Sequence, residues 1–110
     1  MTNDTPLEIS VQEFDLLRRS GEAMTVLDVR NPPEIDVCAF DGSTNIPMHE
    51  IPANVEILPT EGKLIVVCHH GARSLQVAAW LRHNGHGNAI SLRGGVDAWS
   101  REIDPSMPRY

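Results

Sequence analysis

Apolar residues recur every three or four positions in two long stretches of the chain, which is the spacing of an amphipathic helix. The first predicted helix covers residues 11–19, because the capping-box sequence Ser10–Glu13 starts it and Gly21 follows it. The second predicted helix covers residues 74–84 and ends before Gly85. Two shorter helical turns are expected, one beginning near Pro52 and one containing Val96 and Trp99.

Three runs of apolar and β-branched residues predict buried strands at residues 24–29, 64–67 and 89–92. Pro32 and Pro33 follow the first run and predict a loop. Strands that alternate with helices favour an α/β fold, in which an open parallel sheet carries helices on both faces. With 110 residues, the chain is expected to form a single domain over residues 1–110.

Charge and composition argue against several kinds of partner. The chain has 9 Lys and Arg against 15 Asp and Glu, for a formal net charge of -6, and this balance argues against nucleic acid or an anionic membrane. No stretch approaches the roughly 20 apolar residues of a membrane span, and the start of the chain does not resemble a signal peptide. Two cysteines are too few for a disulfide framework. We therefore expect a cytoplasmic protein whose thiols stay reduced.

The second cysteine, Cys68, stands at the carboxyl end of the predicted strand 64–67, where parallel sheets bind their ligands. A helix is expected to begin near Ser74, which is a suitable capping residue. The backbone N–H groups of the short loop between them can turn toward one point, with the positive end of the helix dipole behind. Such a cradle, with Arg73 beside it, favours the thiolate of Cys68. Gly71 supplies the positive φ that a tight cradle needs.

Two other roles for Cys68 stay open. A cysteine that closes an apolar strand is commonly a packed small hydrophobe, although the neighbouring glycine, arginine and helix start favour a functional thiol. A metal site is the other alternative, but adjacent residues such as His69 and His70 rarely converge on one ion. Paired ligand spacing is absent from the remaining candidates except at His83-x-x-His86; these candidates are Cys38, His49, His83 and His86. No metal site is therefore expected.

Several further motifs accompany the loop in a fixed order. They are VLDVR at 26–30, Glu34 four residues later, GSTNIP at 42–47, LIVVC at 64–68, CHHGARS at 68–74 and LRGGVDAW at 92–99. In this order and spacing the chain resembles the single-domain rhodanese family of sulfurtransferases over roughly residues 7–108. The resemblance implies a five-stranded parallel sheet and a cysteine that cycles through a persulfide.

The resemblance also implies site residues and partners. Cys68 would be the catalytic sulfur acceptor, and Arg73 would help to position an anionic donor. No cofactor is implied; the partners would be a small sulfur donor such as thiosulfate and a thiol or cyanide acceptor, which can be a protein thiol. Asp28 and Arg30 match a strand-end pair of the family and are expected to be mainly structural. The substrate-binding residues, whose backbone would hold the persulfide, would be His69, His70, Gly71, Ala72, Arg73 and Ser74.

The chain departs from the family pattern at two places. Cys38–Ala39 stands where members typically show Gly-His, and Phe40 follows in place of an aliphatic residue. Cys38 is expected to be a buried filler, and a role as a disulfide partner or sulfur acceptor for Cys68 is the sharper hypothesis. Glu34 is acidic, whereas some thiosulfate-using members carry a basic residue there.

Two rival functions remain. Cysteine-dependent phosphatases and arsenate reductases of related architecture have a loop similar to this one, but with one more residue between cysteine and arginine. Cys68 and Arg73 enclose four residues, a ring that suits a single sulfur atom better than a tetrahedral oxyanion. The other rival is a sulfur-relay or interaction module, because fold and loop do not identify the acceptor.

Overall fold

The computed structural model describes residues 5–110. Within this part of the chain, five parallel strands form one open sheet in the order β1-β5-β4-β2-β3. The central strands pair from Met24 with Lys63 to Asp28 with Val67, so both end at the same edge. This arrangement confirms the predicted parallel α/β fold. The strands are β1 (Glu8–Ile9), β2 (Met24–Asp28), β3 (Thr44–Asn45), β4 (Lys63–Val67) and β5 (Ala89–Leu92).

Helices follow the strands and cover both faces of the sheet. The predicted capping box begins the first helix, where the Ser10 hydroxyl accepts a hydrogen bond from the Glu13 amide at 3.1 Å. Among the described residues, no helix combines the length and apolar character needed to cross a membrane. The helices are α1 (Val11–Ser20), α2 (Pro32–Val37), α3 (Ile51–Asn54), α4 (Ala72–His83) and α5 (Gly95–Glu102), with 3₁₀ turns at Met48–Glu50 and Val55–Ile57 on either side of α3.

Alternation along β4 divides the core into two hydrophobic clusters. Ile65 and Val67 belong to the cluster shared with α1 and α5, whereas Leu64 and Val66 belong to the cluster shared with α3 and α4. The first cluster contains three aromatic rings in edge-to-face contact, with centroids 5.1 to 5.6 Å apart: Phe14, Phe40 and Trp99. Because both faces of β4 are buried, the strand reads as a continuous apolar run.

The structure corrects the prediction at Pro32 and Pro33, which begin α2 rather than a loop. Proline is compatible with the first helical turn, because the N–H that it lacks would have no partner there. The carboxylate of Glu34 accepts a hydrogen bond from the Asn31 amide and supports this start. The two-residue strands β1 and β3 are also absent from the sequence prediction, since each is too short to carry an alternating pattern.

The first turn of α5 is fastened to the segment that follows β4. The Val96 amide donates to the Cys68 carbonyl at 3.0 Å, and the Asp97 amide donates to the His69 carbonyl at 3.1 Å. Gly95 makes this approach possible, since its φ is 60° and a Cβ there would lie against the Cys68 carbonyl and 2.5 Å from the His69 oxygen. The start of α5 therefore fixes the backbone at Cys68 and His69.

Gly95→Ala is expected to lower the free energy of unfolding by about 2–5 kcal/mol, because overpacking and a positive φ both oppose the added methyl group. Gly42→Ala is the matched control: its φ is 78°, but nothing lies within 4 Å of the added carbon, so it carries only the backbone cost of about 1–2 kcal/mol. Urea unfolding of both variants measures the difference. Equal losses would contradict the close packing of Gly95 against the loop.

Candidate active site

Cys68 lies immediately beyond β4, at the carboxyl edge of the sheet, and is only 1% exposed. Two backbone amides of the following loop donate to its sulfur: Gly71 N lies 3.1 Å from Sγ and Ser74 N lies 3.3 Å from it. Both amides stand at the start of α4, where the helix dipole is positive. The sulfur of a buried cysteine therefore sits at the focus of donors that favour negative charge.

Gly71 has the backbone geometry that the sequence predicts. Its φ is 105°, and a Cβ at this position would lie 2.9 Å from the amide nitrogen of Gly94. A side chain would therefore be strained by the φ angle and would also collide with the backbone before α5. This confirms that the turn around the sulfur requires glycine.

Ser74 is not the helix cap that the sequence predicts. The helix begins at Ala72 with Gly71 at the capping position, so Ser74 lies within the first turn. The Cys68 sulfur accepts a hydrogen bond from the Ser74 amide, as the side chain of a capping residue would. The Ser74 hydroxyl lies 3.4 Å from Sγ and 2.7 Å from the hydroxyl of Ser91, a fully buried residue of β5. Ser91 is missing from the sequence prediction, because nothing local distinguishes it from another strand residue.

Arg73 is held by Glu34, at the start of α2. Its two terminal nitrogens donate to the two carboxylate oxygens at 2.7 and 2.8 Å, which is a bidentate ion pair. The hydrogen bond from Arg73 lowers the pKa of Glu34 to about 2, assisted by hydrogen bonds from Tyr110 and the Asn31 backbone and opposed by burial. The guanidinium charge beside the loop is therefore largely neutralised.

Tyr110 joins the same group of residues from the segment after α5. Its hydroxyl donates to Glu34 at 2.7 Å and accepts from Arg30 at 2.9 Å. Its ring is stacked on His69, with centroids 3.8 Å apart and an interplanar angle of 10°. Burial is the largest cause that raises the pKa of Tyr110 to about 12. The sequence gives no sign of this residue, because its neighbours come from distant parts of the chain.

Asp28 and Arg30 are both fully buried and form an ion pair, with Arg30 Nη2 2.7 Å from the carboxylate. Arg30 Nη2 also donates to the backbone carbonyl of Cys38 at 2.7 Å. These contacts hold the ends of β2 and α2 together and support the structural role expected for the pair. Cys38 lies in the cluster beneath α1 and α5, whereas Cys68 lies in the other cluster. Their placement in different clusters favours a packing role for Cys38.

The remaining loop residues, His69, His70 and Ala72, differ in their exposure to solvent. His69 is half-buried, and burial is the largest cause that lowers its pKa. His70 is exposed, with Nε2 4.0 Å from Asp97, and Ala72 is exposed as well. Contrary to the expectation that the adjacent histidines would not converge, ring nitrogens of both lie within 4.8 Å of each other and of Asp97.

The oxygens of this Asp97 carboxylate are nevertheless already used by cationic side chains. Arg101 donates to one oxygen at 2.9 Å and Arg109 donates to the other at 3.0 Å. These contacts lower the pKa of Asp97, and a metal ion would have to compete with both guanidinium groups.

Comparison with known families matches residues 10–102 to the family described as Rhodanese-like domain. A sulfurtransferase of Allochromatium vinosum is 36% identical over 94 residues, which cover 86% of this chain and 88% of that protein. The probable adenylyltransferase/sulfurtransferase MoeZ of Mycobacterium tuberculosis is 32% identical over 93 residues. That match covers 83% of this chain but only 24% of MoeZ, so the chain spans about a quarter of this longer relative.

Solved structures give the same result. A rhodanese-related protein of Thermoplasma volcanium is 32% identical and superposes with a TM-score of 0.79, covering 87% of this chain and 92% of that one. The human single-domain sulfurtransferase TSTD1 is 25% identical with a TM-score of 0.80, covering 89% of this chain and 98% of its own. The fold, the loop and these relatives agree, and the chain belongs to the rhodanese-like sulfurtransferase family.

Proposed function

We propose that the chain transfers a sulfane sulfur from a donor such as thiosulfate to a thiol or cyanide acceptor through a persulfide on Cys68. The observation that carries this proposal is the pair of amide donors, Gly71 and Ser74, directed at the Cys68 sulfur. A packed structural cysteine has no need of such donors, whereas a nucleophilic sulfur that carries negative charge is stabilised by them.

The transfer takes place in two displacements. In the first, the Cys68 thiolate attacks the outer sulfur of thiosulfate, the S–S bond of the donor breaks, and its electron pair leaves with sulfite. Cys68 then carries a persulfide with one negative charge on the terminal sulfur. In the second, an acceptor thiolate or cyanide attacks that sulfur, and Cys68 departs as the thiolate. No net oxidant or reductant is consumed, and the kinetics are ping-pong.

The loop backbone supplies the stabilisation in both steps. Ala72 and Arg73 occupy the first turn of α4, where amides have no acceptor within the helix. In the proposed persulfide these two amides are available to the terminal sulfur, while the Gly71 and Ser74 amides stay on Sγ. Residues 69–74 then stabilise the sulfur through their backbone amides, and their side chains shape the access of donor and acceptor to that sulfur.

A protein thiol is a second possible acceptor. The relatives MoeZ of Mycobacterium tuberculosis and MOCS3-2 of Zea mays combine adenylyltransferase with sulfurtransferase in their names, and their matching regions are parts of longer chains. This supports a relay in which the sulfur passes from Cys68 to another protein. Loading Cys68 with labelled sulfur and adding candidate acceptors separates the two cases by where the label goes.

Incubation with thiosulfate is expected to add about 32 Da to the intact mass, and cyanide is expected to remove it. Cys68→Ser should abolish the gain because the accepting sulfur is absent. Cys38→Ser is the matched control, since it removes the only other thiol and should leave the gain unchanged. A Cys68→Ser protein that is still loaded, or a Cys38→Ser protein that is not, would contradict the assignment.

Glu34 is expected to weaken the binding of a dianionic donor, because its carboxylate neutralises Arg73. Glu34→Gln keeps the shape of the side chain but removes its charge and replaces one of its two acceptor oxygens by an NH2 group. We expect KM for thiosulfate to fall about three- to fivefold. Glu22→Gln is the control, since Glu22 pairs with Lys63 at the opposite end of β4. Steady-state kinetics decide, and an unchanged or higher KM for Glu34→Gln would contradict the prediction.

The same variant tests the ion pair through stability. The pKa of Glu34 is lowered from its ordinary 4.5 to about 2 in the folded chain, so ionised Glu34 stabilises the fold above about pH 4.5. This contribution is lost as the pH falls toward 2. The difference in unfolding free energy between the native protein and Glu34→Gln should therefore shrink over that interval. A difference independent of pH, measured by urea unfolding, would show that the charge does not matter.

A further inference from the structure

We propose that Tyr110 is a positioning residue for sulfur transfer: it joins the two flanks of the Cys68 loop and thereby holds the amide cradle in shape. The inference rests on the proposed function, because a cradle has to be held only if it stabilises the reacting sulfur. Tyr110 contacts neither the sulfur nor any loop amide in the structure's hydrogen bonds, so its influence passes through its neighbours.

The first flank is His69, the residue directly after Cys68. The Tyr110 ring lies nearly parallel to the His69 ring, with centroids 3.8 Å apart and an interplanar angle of 10°. On its backbone side, the His69 carbonyl accepts from the Asp97 amide at 3.1 Å. His69 is therefore fixed by its side chain to Tyr110 and by its backbone to α5.

The second flank is Arg73, which Tyr110 reaches through Glu34. The Tyr110 hydroxyl donates to Glu34 Oε2 at 2.7 Å, and the same oxygen accepts from Arg73 Nη2 at 2.8 Å. One carboxylate oxygen of Glu34 thus joins Tyr110 to Arg73. The charged oxygen makes both hydrogen bonds stronger than neutral ones.

The tyrosine hydroxyl has a rigid anchor of its own. Arg30 Nη1 donates to it at 2.9 Å, and Arg30 is fully buried and paired with Asp28. Because the pKa of Tyr110 is raised to about 12, the hydroxyl stays protonated and can donate to Glu34 while it accepts from Arg30. A single side chain therefore links the buried end of β2 to both sides of the loop.

This arrangement has a kinetic consequence. Gly71 and Ser74 lie between or beside the two fixed flanks, so movement of His69 and Arg73 would displace the amides that face the sulfur. Small displacements of groups that stabilise a reacting atom lower the rate of the chemical step strongly, by up to about 100-fold for 1 Å. Loss of Tyr110 should therefore reduce the rate of persulfide formation at saturating donor and change KM little.

The test measures single-turnover loading of Cys68 by thiosulfate in the intact chain. Tyr110→Phe keeps the ring on His69 but removes the hydroxyl, and we expect about a fivefold loss of rate. Tyr110→Ala removes both connections, and we expect a loss of about 10- to 100-fold. Ser106→Ala is the matched control in the same segment, because within residues 5–110 the Ser106 side chain bonds only Asp104, and its rate should equal that of the native chain.

The outcomes separate the two proposals. A native chain that is never loaded refutes the proposed function, whatever the variants do. If the native chain is loaded and both Tyr110→Phe and Tyr110→Ala are loaded as fast as the native chain, the positioning role is refuted. Variants that load faster than the native chain would identify Tyr110 as an obstruction and would overturn the proposal as well. If Tyr110→Ala unfolds, the Tyr110→Phe rate decides once it is corrected for the folded fraction measured by urea unfolding, because a partly unfolded sample also lowers kcat while KM is unchanged.

Discussion

The structure of the site depends on two hydrogen bonds, from the Gly71 and Ser74 amides to the Cys68 sulfur. A helix leaves its first N–H groups without partners, and the Cys68 sulfur accepts two of them next to the positive end of the helix dipole. The helix is therefore capped by the same sulfur that, in the proposed function, it activates. This arrangement explains why α4 starts two residues before Ser74, and it supports the proposed negative charge on a buried cysteine.

Keeping that geometry requires supports outside the loop. The start of α5 binds the carbonyls of Cys68 and His69, so the loop is held by its acceptors as well as by its donors. Glu34 binds Arg73 from the side of α2, and Tyr110 connects this ion pair to His69. The supports come from three separate parts of the chain. In such an arrangement the side chains near the sulfur determine position and access, and the backbone provides the stabilisation.

The sequence predicts those features of the structure that neighbouring residues in the chain determine. The strand ending at Cys68, the glycine at position 71 and the caps of α1 follow from periodicity and from the conformations open to each residue. Local reading fails where distant segments decide the outcome. Ser74 is one such case, because folding brings the Cys68 sulfur to the capping position. Pro32–Pro33 is a different case, since its signal is local: Glu34 lies three residues after Asn31 and accepts its amide, and proline suits the first helical turn. Tyr110 and Ser91 act through contacts that no local pattern encodes.

The proposed function requires the loop amides to stabilise a negative charge on the sulfur carried by Cys68. Amide resonances of the intact protein, recorded by NMR before and after loading with sulfur, test it most directly. The account predicts that the amide signals of residues 71–74 shift on loading, those of Ala72 and Arg73 most because they gain the terminal sulfur as an acceptor, while the signal of Gly42, which lies outside the loop, stays in place. Signals of residues 71–74 that move no more than that of Gly42 would contradict it.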